Sequence, residues 1–218
     1  MISIKRMACN PYQVNTYILF DETGECVIID PGMDVQAEKD AFNGFIADNK
    51  LTPVKLLNTH SHIDHILAND YVSEKYKLKL AAHDEGGVFV NEAMVYASTF
   101  GMSMSGVKQI DEFLKDGDIV EFGSSKLKVL YTPGHADGSI CFYSEADGII
   151  VTGDVLFRES IGRTDLKTGN YDLLQKSIWE KLFTLPDDTI AYPGHGPETK
   201  IGFENIHNPF VAIGHDLD

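Results

Sequence analysis

Short apolar runs and amphipathic stretches alternate along the chain. Apolar runs at 2–7, 15–20, 25–29 and 54–57 predict strands, and residues 21–24 predict a hairpin turn. Runs at 118–122, 126–131, 139–143, 148–151 and 189–192 predict five more strands. The patterns at 35–48, 66–76, 85–96 and 171–183 predict helices. Each half of the chain thus passes from strands into helices, which predicts an α/β (α+β) fold with two packed sheets and helices on both outer faces.

Composition narrows the class of protein. The chain has 218 residues, of which 43% are hydrophobic, and we expect a single domain over 1–218. There are 18 Lys and Arg against 33 Asp and Glu, for a net charge of −15, which disfavours binding to nucleic acid or to an anionic membrane. No apolar run approaches the roughly 20 residues of a transmembrane helix. The N-terminus lacks a secretory apolar core, and the three cysteines are unclustered. We therefore expect a cytoplasmic protein.

Histidine and aspartate cluster directly after the strand predicted at 54–57, in the segment Thr-His-Ser-His-Ile-Asp-His (59–65). Residues i and i+2 of an extended segment face the same side, so His60 and His62 can converge on one cation. Asp64 and His65 are expected to begin a helix, which turns their side chains toward a second point close by. The segment predicts two adjacent metal sites, and its fixed spacing makes the motif strong.

Three later strands are also followed by a potential metal ligand beside Gly or Pro. His135 ends Thr-Pro-Gly-His, Asp154 ends Thr-Gly-Asp, and His195 lies in Tyr-Pro-Gly-His-Gly. Glycine lets the backbone turn tightly, so that the next side chain projects into a cleft. Taken alone, each motif is weak, because such residues are more often loop or turn formers. Their joint pattern with the first cluster favours one metal-binding cleft.

The order of these motifs resembles the metallo-β-lactamase superfamily, from residue 15 to residue 195. Gly-Arg-Thr-Asp (162–165), Gly-His-Gly-Pro (194–197) and Asn-Pro-Phe (208–210) are most similar to its glyoxalase II (hydroxyacylglutathione hydrolase) branch, in the short bacterial form. The resemblance implies a four-layer αβ/βα sandwich of two mixed sheets. It also implies two divalent metal ions per chain, zinc first and iron or manganese as alternatives. True β-lactamases usually have Cys at the position of Asp154, so the resemblance disfavours antibiotic hydrolysis.

The resemblance assigns a role to each ligand residue. By this match the first metal is held by three histidines, the second by one aspartate and two histidines, and a carboxylate bridges the two ions. The residues are, in that order, His60, His62 and His135; Asp64, His65 and His195; and Asp154.

Such a site predicts hydrolysis of a small-molecule thioester. Two adjacent metals with open positions can bridge a water and lower its pKa from 15.7 toward about 7. The resulting hydroxide would attack a thioester or ester carbonyl while a metal stabilises the oxyanion, and the glyoxalase II resemblance implies a thioester of the S-acylglutathione type. Asp64, which can hold the nucleophile by a hydrogen bond, and the bridging Asp154 are the predicted catalytic residues. The chain has no Gly-x-Ser-x-Gly elbow, which removes the main rival route to hydrolysis.

Supporting positions each have two interpretations. Asp30, after the strand at 25–29, is either a turn residue or a residue that orients a ligand histidine through a hydrogen bond. Arg163 is expected to bind a carboxylate of the substrate, whereas Arg158 and Lys167 are more simply solvated charges. Residues 97–107, rich in Met and small side chains, form either a mobile pocket cap or ordinary packing. Three histidines match no ligand motif: His83, His207 and His215.

Other functions compete with thioester hydrolysis. The runner-up is a mononuclear iron persulfide dioxygenase, a branch with a similar Gly-Arg-Thr-Asp stretch, in which His60, His135 and Asp154 would form a facial triad. The complete second site argues mildly against it. RNA cleavage is disfavoured by the charge, and a non-catalytic module predicts a broken ligand, which the sequence does not show. Full-length glyoxalase II carries a C-terminal glutathione-binding helical domain; none is expected in residues 196–218, so substrate use should be broader.

Overall fold

Two six-stranded sheets lie at the centre of the computed structural model, which describes residues 1–99, 101–102, 104 and 106–212. The first sheet has its strands in chain order: β1 (Ser3–Cys9), β2 (Val14–Phe20), β3 (Glu25–Ile29), β4 (Thr52–Leu57), β5 (Leu80–Ala82) and β6 (Glu112–Phe113). Neighbours from β1 to β3 are antiparallel, and those from β3 to β6 are parallel. The sheet is therefore mixed, as expected.

The second sheet is also mixed. Its spatial order is β14 (Thr199–Lys200), β13 (Ile190–Pro193), β10 (Ile149–Gly153), β9 (Ile140–Ser144), β8 (Ser125–Tyr131) and β7 (Ile119–Phe122). Only the β10–β13 pair is parallel in the part of this sheet that the structure describes. A small ribbon of β11 (Leu156–Phe157) and β12 (Ser160–Ile161) follows β10.

Six α-helices among the described residues complete the layers: α1 (Gln36–Asp48), α2 (Ile63–Ile66), α3 (Asn69–Tyr76), α4 (Gly87–Thr99), α5 (Tyr171–Ser177) and α6 (Ile201–His207). Both faces of each sheet are buried. On β2, Leu19 faces the second sheet, whereas Ile18 packs with Phe42 of α1. On β10, Val151 faces the first sheet, whereas Ile150 packs against α5 and α6. This is the predicted order of helices, sheet, sheet and helices.

The extents of several elements differ from the predictions. The helix predicted at 66–76 is divided into α2 and α3, and the one at 171–183 ends in a π-helical turn, Ile178–Leu182. The helix predicted at 85–96 is a 3-10 turn, Asp84–Gly86, followed by α4. β5, β6, β11, β12 and β14 were not predicted, because strands of two or three residues are too short to show a period.

Asp21 connects the hairpin between β2 and β3 with the hairpin between β7 and β8. This buried carboxylate accepts hydrogen bonds from the Thr23 hydroxyl (2.6 Å), the Ser124 backbone N–H (2.8 Å) and the Ser125 hydroxyl (2.8 Å). Burial raises the pKa of Asp21, but the hydrogen bonds outweigh it and hold the pKa well below its usual range. The ionised carboxylate therefore ties the two sheets together.

The carboxyl ends of several strands meet at one edge of the sandwich. β10 and β13 are parallel, and β8 runs in the same direction because β9 is antiparallel to both β8 and β10. The loops that follow these strands carry the three later ligand candidates. No helix among the described residues has the length and apolarity that a membrane span requires. The prediction of one domain over 1–218 stays a prediction.

Candidate metal centre

The first ligand segment lies directly after β4. β4 ends at Leu57, His62 has an extended backbone, and α2 begins at Ile63. His60 and His62 thus precede the helix, whereas Asp64 and His65 lie within it, as predicted. His60 and His65 are completely buried, while Asp64 retains a small exposed surface. The change from extended to helical backbone divides the side chains between two neighbouring points.

The second half of the chain brings three more side chains to the same place. His135 follows β8, Asp154 follows β10 directly, and His195 follows β13. The loop that carries His195 is held by contacts with β2 and with the turn before it. Nδ1 of His195 lies 3.0 Å from the Tyr12 carbonyl oxygen. The side-chain amide of Asn15 donates to the carbonyl oxygens of Pro193 (2.9 Å) and Gly196 (2.8 Å).

The seven predicted ligand residues form two adjoining groups. The ligand atoms of His60, His62 and His135 lie within 4.8 Å of one another, and so do those of Asp64, His65 and His195. Asp154 lies between the groups. Its carboxylate oxygens are 3.3 Å from Nε2 of His65, 3.5 Å from Nε2 of His195 and 3.7 Å from Nε2 of His135. The structure therefore brings all seven residues together, with one carboxylate adjoining both groups.

Several buried polar atoms in this cluster make no well-aligned hydrogen bond among the described residues, although His65 Nε2 and Asp154 Oδ1 lie 3.3 Å apart. They are His60 Nε2, His62 Nε2, His65 Nε2 and Asp154 Oδ1. A buried polar atom without a partner costs about 1–3 kcal/mol, so four in one cluster require an explanation. Imidazole and carboxylate donors are a normal ligand set for a divalent cation. The residues present therefore fit a divalent-metal site.

The protonation of the cluster also suits cations. Burial lowers the pKa of His60 well below its usual value and that of His62 to about 3, so both rings are neutral. Burial raises the pKa of Asp154, but neighbouring His65 and His195 outweigh it and hold the pKa well below the usual range. Burial lowers the pKa of His195, but the carboxylates of Asp154 and Asp64 raise it to about 9. A cation placed beside these carboxylates would replace that proton.

Asp30 contacts His65 directly and His60 through Thr59. Its Oδ2 accepts from the Thr59 hydroxyl (2.6 Å) and lies 2.9 Å from Nδ1 of His65, and its Oδ1 accepts from the Thr59 backbone N–H (2.8 Å). The Thr59 hydroxyl lies 3.1 Å from Nδ1 of His60. Because this hydroxyl donates to Asp30, it accepts from His60, and Nε2 of the neutral His60 ring is left unprotonated, while the Asp30 carboxylate accepts from Nδ1–H of His65. Of the two interpretations of Asp30, the structure shows the hydrogen bond to a histidine.

Sequence reasoning missed the backbone contributions to the site. Nδ1 of His135 lies 2.8 Å from the carbonyl oxygen of Arg163. A Cβ at Gly162 would lie 1.8 Å from the Asp154 carbonyl oxygen, and a Cβ at Gly194 would lie 2.1 Å from Asp154 Oδ1. Both positions therefore exclude any side chain. Their only signal in the sequence was the presence of Gly in the two motifs that carried the family resemblance.

The other candidates lie at the edge of the site or outside it. Arg163 lines the cleft at its rim, where its exposed guanidinium pairs with Asp165. His83 stacks on Tyr131, and His207 lies on α6, so neither joins the cluster. In the segment 97–107, Met102 is buried against the cleft. Residues 100, 103 and 105 of that segment, and His215, lie outside the described residues.

Comparison with known proteins identifies the family. The model of the metallo-β-lactamase superfamily matches residues 9–195, and the chain therefore belongs to this superfamily. It is 38% identical to the probable metallo-hydrolase YqgX of Bacillus subtilis, over 95% of this chain and 96% of the relative. It is 33% identical to the hydroxyacylglutathione hydrolase GloC of Haemophilus influenzae, over 96% and 98% of the two chains.

Solved structures agree on the fold. The B3 metallo-β-lactamase BLEG-1 has a TM-score of 0.87 and 35% identity, over 97% of this chain and 100% of that one. ETHE1 from Myxococcus xanthus has a TM-score of 0.78 and 32% identity, over 96% of this chain and 84% of that one. TTHA1623, solved in a di-iron-bound form, has a TM-score of 0.84 and 32% identity, over 94% of this chain and 99% of that one. The chain therefore has the α/β metallo-β-lactamase fold, and its family is one of metallo-hydrolases.

Proposed function

We propose that this enzyme is a two-metal thioester hydrolase that acts on S-acylglutathione-type substrates. His60, His62 and His135 would hold one divalent ion, and Asp64, His65 and His195 the other, with Asp154 shared between them. One observation carries the proposal. Buried ligand atoms of both groups lie close together, and several of them make no hydrogen bond among the described residues. Two ions of this kind, when bound, supply hydroxide at neutral pH and polarise a carbonyl.

The protein's own residues have defined tasks in this reaction. Asp64 stands at the cleft with a lowered pKa, because the charges of His65 and His195 outweigh the effect of burial. It is therefore ionised and able to accept a hydrogen bond from the attacking water. In hydrolysis the carbonyl carbon gains an oxygen and loses the thiolate. A thiol with a pKa near 8.5 leaves readily, so the site needs no strong general acid.

The comparisons support this class of substrate and also an alternative. GloC, a relative along nearly the full chain, bears the name of a hydroxyacylglutathione hydrolase. The similarity to ETHE1 favours the second candidate, an iron persulfide dioxygenase that would use His60, His135 and Asp154. The complete group of Asp64, His65 and His195 favours the hydrolase, because a mononuclear enzyme has no use for it. Zinc is the proposed metal, with iron or manganese as alternatives.

The first experiment is to measure the metal identity and stoichiometry of protein purified without added metal. Two ions per chain and thiol release from S-lactoylglutathione are the expected results. One iron per chain with oxygen uptake on a persulfide would overturn the hydrolase proposal and support the dioxygenase. Turnover of a β-lactam alone would also overturn it, and the similarity to BLEG-1 makes that assay necessary.

Variants connect the activity to the site. His62→Ala and Asp154→Ala are expected to abolish turnover and to lower the metal content, because each removes a donor that no neighbour replaces. His207→Ala is the matched control, since that histidine lies exposed on α6, away from the cluster. Full activity in either site variant would contradict the assignment of ligands.

A cytoplasmic location is also proposed. It is supported by Cys9, Cys26 and Cys141, all of which are buried free thiols. Disulfides form in oxidising compartments, and free buried cysteines are usual in reducing ones. The net charge of −15 supports a small-molecule substrate over nucleic acid or an anionic membrane.

A further inference from the structure

The cleft above the proposed ligands is lined mainly by apolar side chains. It has a volume of about 430 Å³ and is bounded by side chains of α2, α4, β12 and the loop after β12. Apolar lining residues on these segments are Ile63, Phe89, Ala93, Ile161 and Leu166, and Met102, which follows α4, also lines the cleft. Phe89, Ala93 and Met102 are nearly inaccessible to solvent, which shows that this wall is fixed by packing. A cleft of this size and character suits an apolar chain.

The apolar surface begins at the ligands themselves. The ring of Phe89 packs edge-to-face against His62, with 4.9 Å between the ring centroids. The ring of Phe157 packs edge-to-face against His195, with 6.1 Å between the ring centroids. A carbonyl carbon at the metal centre would therefore have apolar wall beside its first substituent atoms.

Apart from Asp64 and Asp154 at the metal centre, the charged side chains that line the cleft lie at its rim. Arg163 pairs with Asp165 at 2.8 Å and Lys167 pairs with Glu92 at 2.7 Å, and all four are largely exposed. Exposed ion pairs contribute little, about 0–1 kcal/mol, so an incoming carboxylate can exchange with either acid. An anionic thiol carrier would meet these two cations at the rim, which would leave the apolar interior to the acyl group.

On the basis of the proposed thioester hydrolysis, we propose that the preferred substrates carry an apolar acyl chain, which lies between α4 and the 161–166 segment while the thiol carrier stays at the rim. The site would therefore favour hexanoyl and longer groups over the small, hydroxylated lactoyl group. Each buried methylene is expected to raise kcat/KM about fourfold.

The test is a chain-length series on metal-loaded protein. S-acyl esters of N-acetylcysteamine from acetyl to octanoyl vary the acyl side, and S-alkyl thioacetates from ethyl to octyl vary the thiol side. We expect kcat/KM to rise by roughly 250-fold from acetyl to hexanoyl, about fourfold for each of the four added methylenes, and to change little along the thioacetate series. Calorimetric binding of S-alkyl thioethers to metal-free protein gives a readout independent of turnover, and affinity should rise with alkyl length.

Leu166→Asp connects the trend to this wall. Leu166 is 38% exposed, so the variant is expected to fold, and the new charge should flatten the dependence on acyl length. Ile206→Asp is the matched control, because Ile206 is an exposed aliphatic residue of α6 that does not line the cleft, and it should keep the wild-type slope.

The outcomes separate this inference from the function on which it rests. If no thioester is hydrolysed by fully loaded protein but thioether affinity still rises with length, the hydrolase proposal fails and the apolar subsite stands. If thioesters are hydrolysed with a flat or falling acyl dependence, the subsite is wrong and the hydrolase stands. The subsite would also be overturned if kcat/KM rose more steeply with chain length in the thioacetate series than in the acyl series. An unchanged dependence of kcat/KM on acyl length in Leu166→Asp would overturn it as well.

Discussion

Asp30→Asn is expected to weaken metal binding while preserving the shape of the site. The buried carboxylate accepts at Oδ2 from Thr59 and faces Nδ1 of His65, and through Thr59 it also fixes the ring of His60. An amide in the same place keeps Oδ1 as acceptor for the Thr59 backbone N–H. Its other end presents an N–H to groups that are themselves donors. The rings of both histidines would then lose the partners that hold their protons on Nδ1.

The expected magnitude follows from this network. Removing a residue that orients a metal-ligating histidine costs 10–100-fold in metal affinity, which corresponds to about 1.4–2.7 kcal/mol. The metal-free protein should also lose about 1.5–3 kcal/mol of stability, the contribution of one hydrogen bond to a buried charge. Asp30→Ala should be more damaging, because Asp30 has φ 51°, a backbone conformation that Asn tolerates and Ala does not.

The assay is competition with a zinc chelator, with urea unfolding of the metal-free form measured in parallel. Asp34→Asn is the matched control, because it removes the same charge from the same loop without any role in the cluster. Wild-type zinc affinity in Asp30→Asn would refute the orienting role. A loss of stability with no loss of affinity would return Asp30 to the alternative interpretation, a structural turn residue.

Three further outcomes can be measured on single variants. Gly194→Ala should empty at least one metal position, because its Cβ would lie 2.1 Å from a ligand oxygen; Gly44→Ala, where nothing lies within 4 Å, should keep full metal content by mass spectrometry. Asp21→Asn should lower the free energy of unfolding at pH 7 by about 1–3 kcal/mol. Because the pKa of Asp21 is depressed in the folded state, its ionised carboxylate stabilises the fold above the unfolded pKa of about 3.9, and this stability is lost as pH falls. The free energy of unfolding in urea should therefore depend less on pH between about pH 5 and 3 in Asp21→Asn than in the wild type. An equal pH dependence would contradict the argument. Arg163→Ala should raise KM for a glutathione thioester about threefold to tenfold with little change in kcat, whereas Arg158→Ala should not; an unchanged KM removes Arg163 from the substrate site.

The sequence predicted the longer strands and all seven clustered residues for the same reason. Strands of four or more residues show a hydrophobic pattern, and each ligand candidate follows such a strand within a few residues, so a local signal placed both. The two-residue strands carry no such signal. The π-helical turn at Ile178–Leu182 was also hidden, because its apolar positions continue the spacing of α5.

Contacts made by backbone atoms could not be predicted. The carbonyl oxygens of Arg163 and Tyr12 fix the rings of His135 and His195, and a carbonyl leaves no mark on residue identity. Asp30 was a candidate from its place after β3, but its hydrogen bonds to Thr59 and His65 depend on how β3 and β4 pair. Such contacts depend on the three-dimensional path of the chain rather than on any local pattern.

The two halves of the chain each supply an incomplete set of donors. The first half ends its contribution at His65, and the last donor, His195, comes only after β13, the penultimate strand in chain order. During synthesis on the ribosome, a nascent chain therefore presents a few histidines long before the second group can close. With metal bound as proposed, the finished sandwich would then select the ion inside its cleft, whereas an open peptide would take whichever ion binds imidazole most strongly.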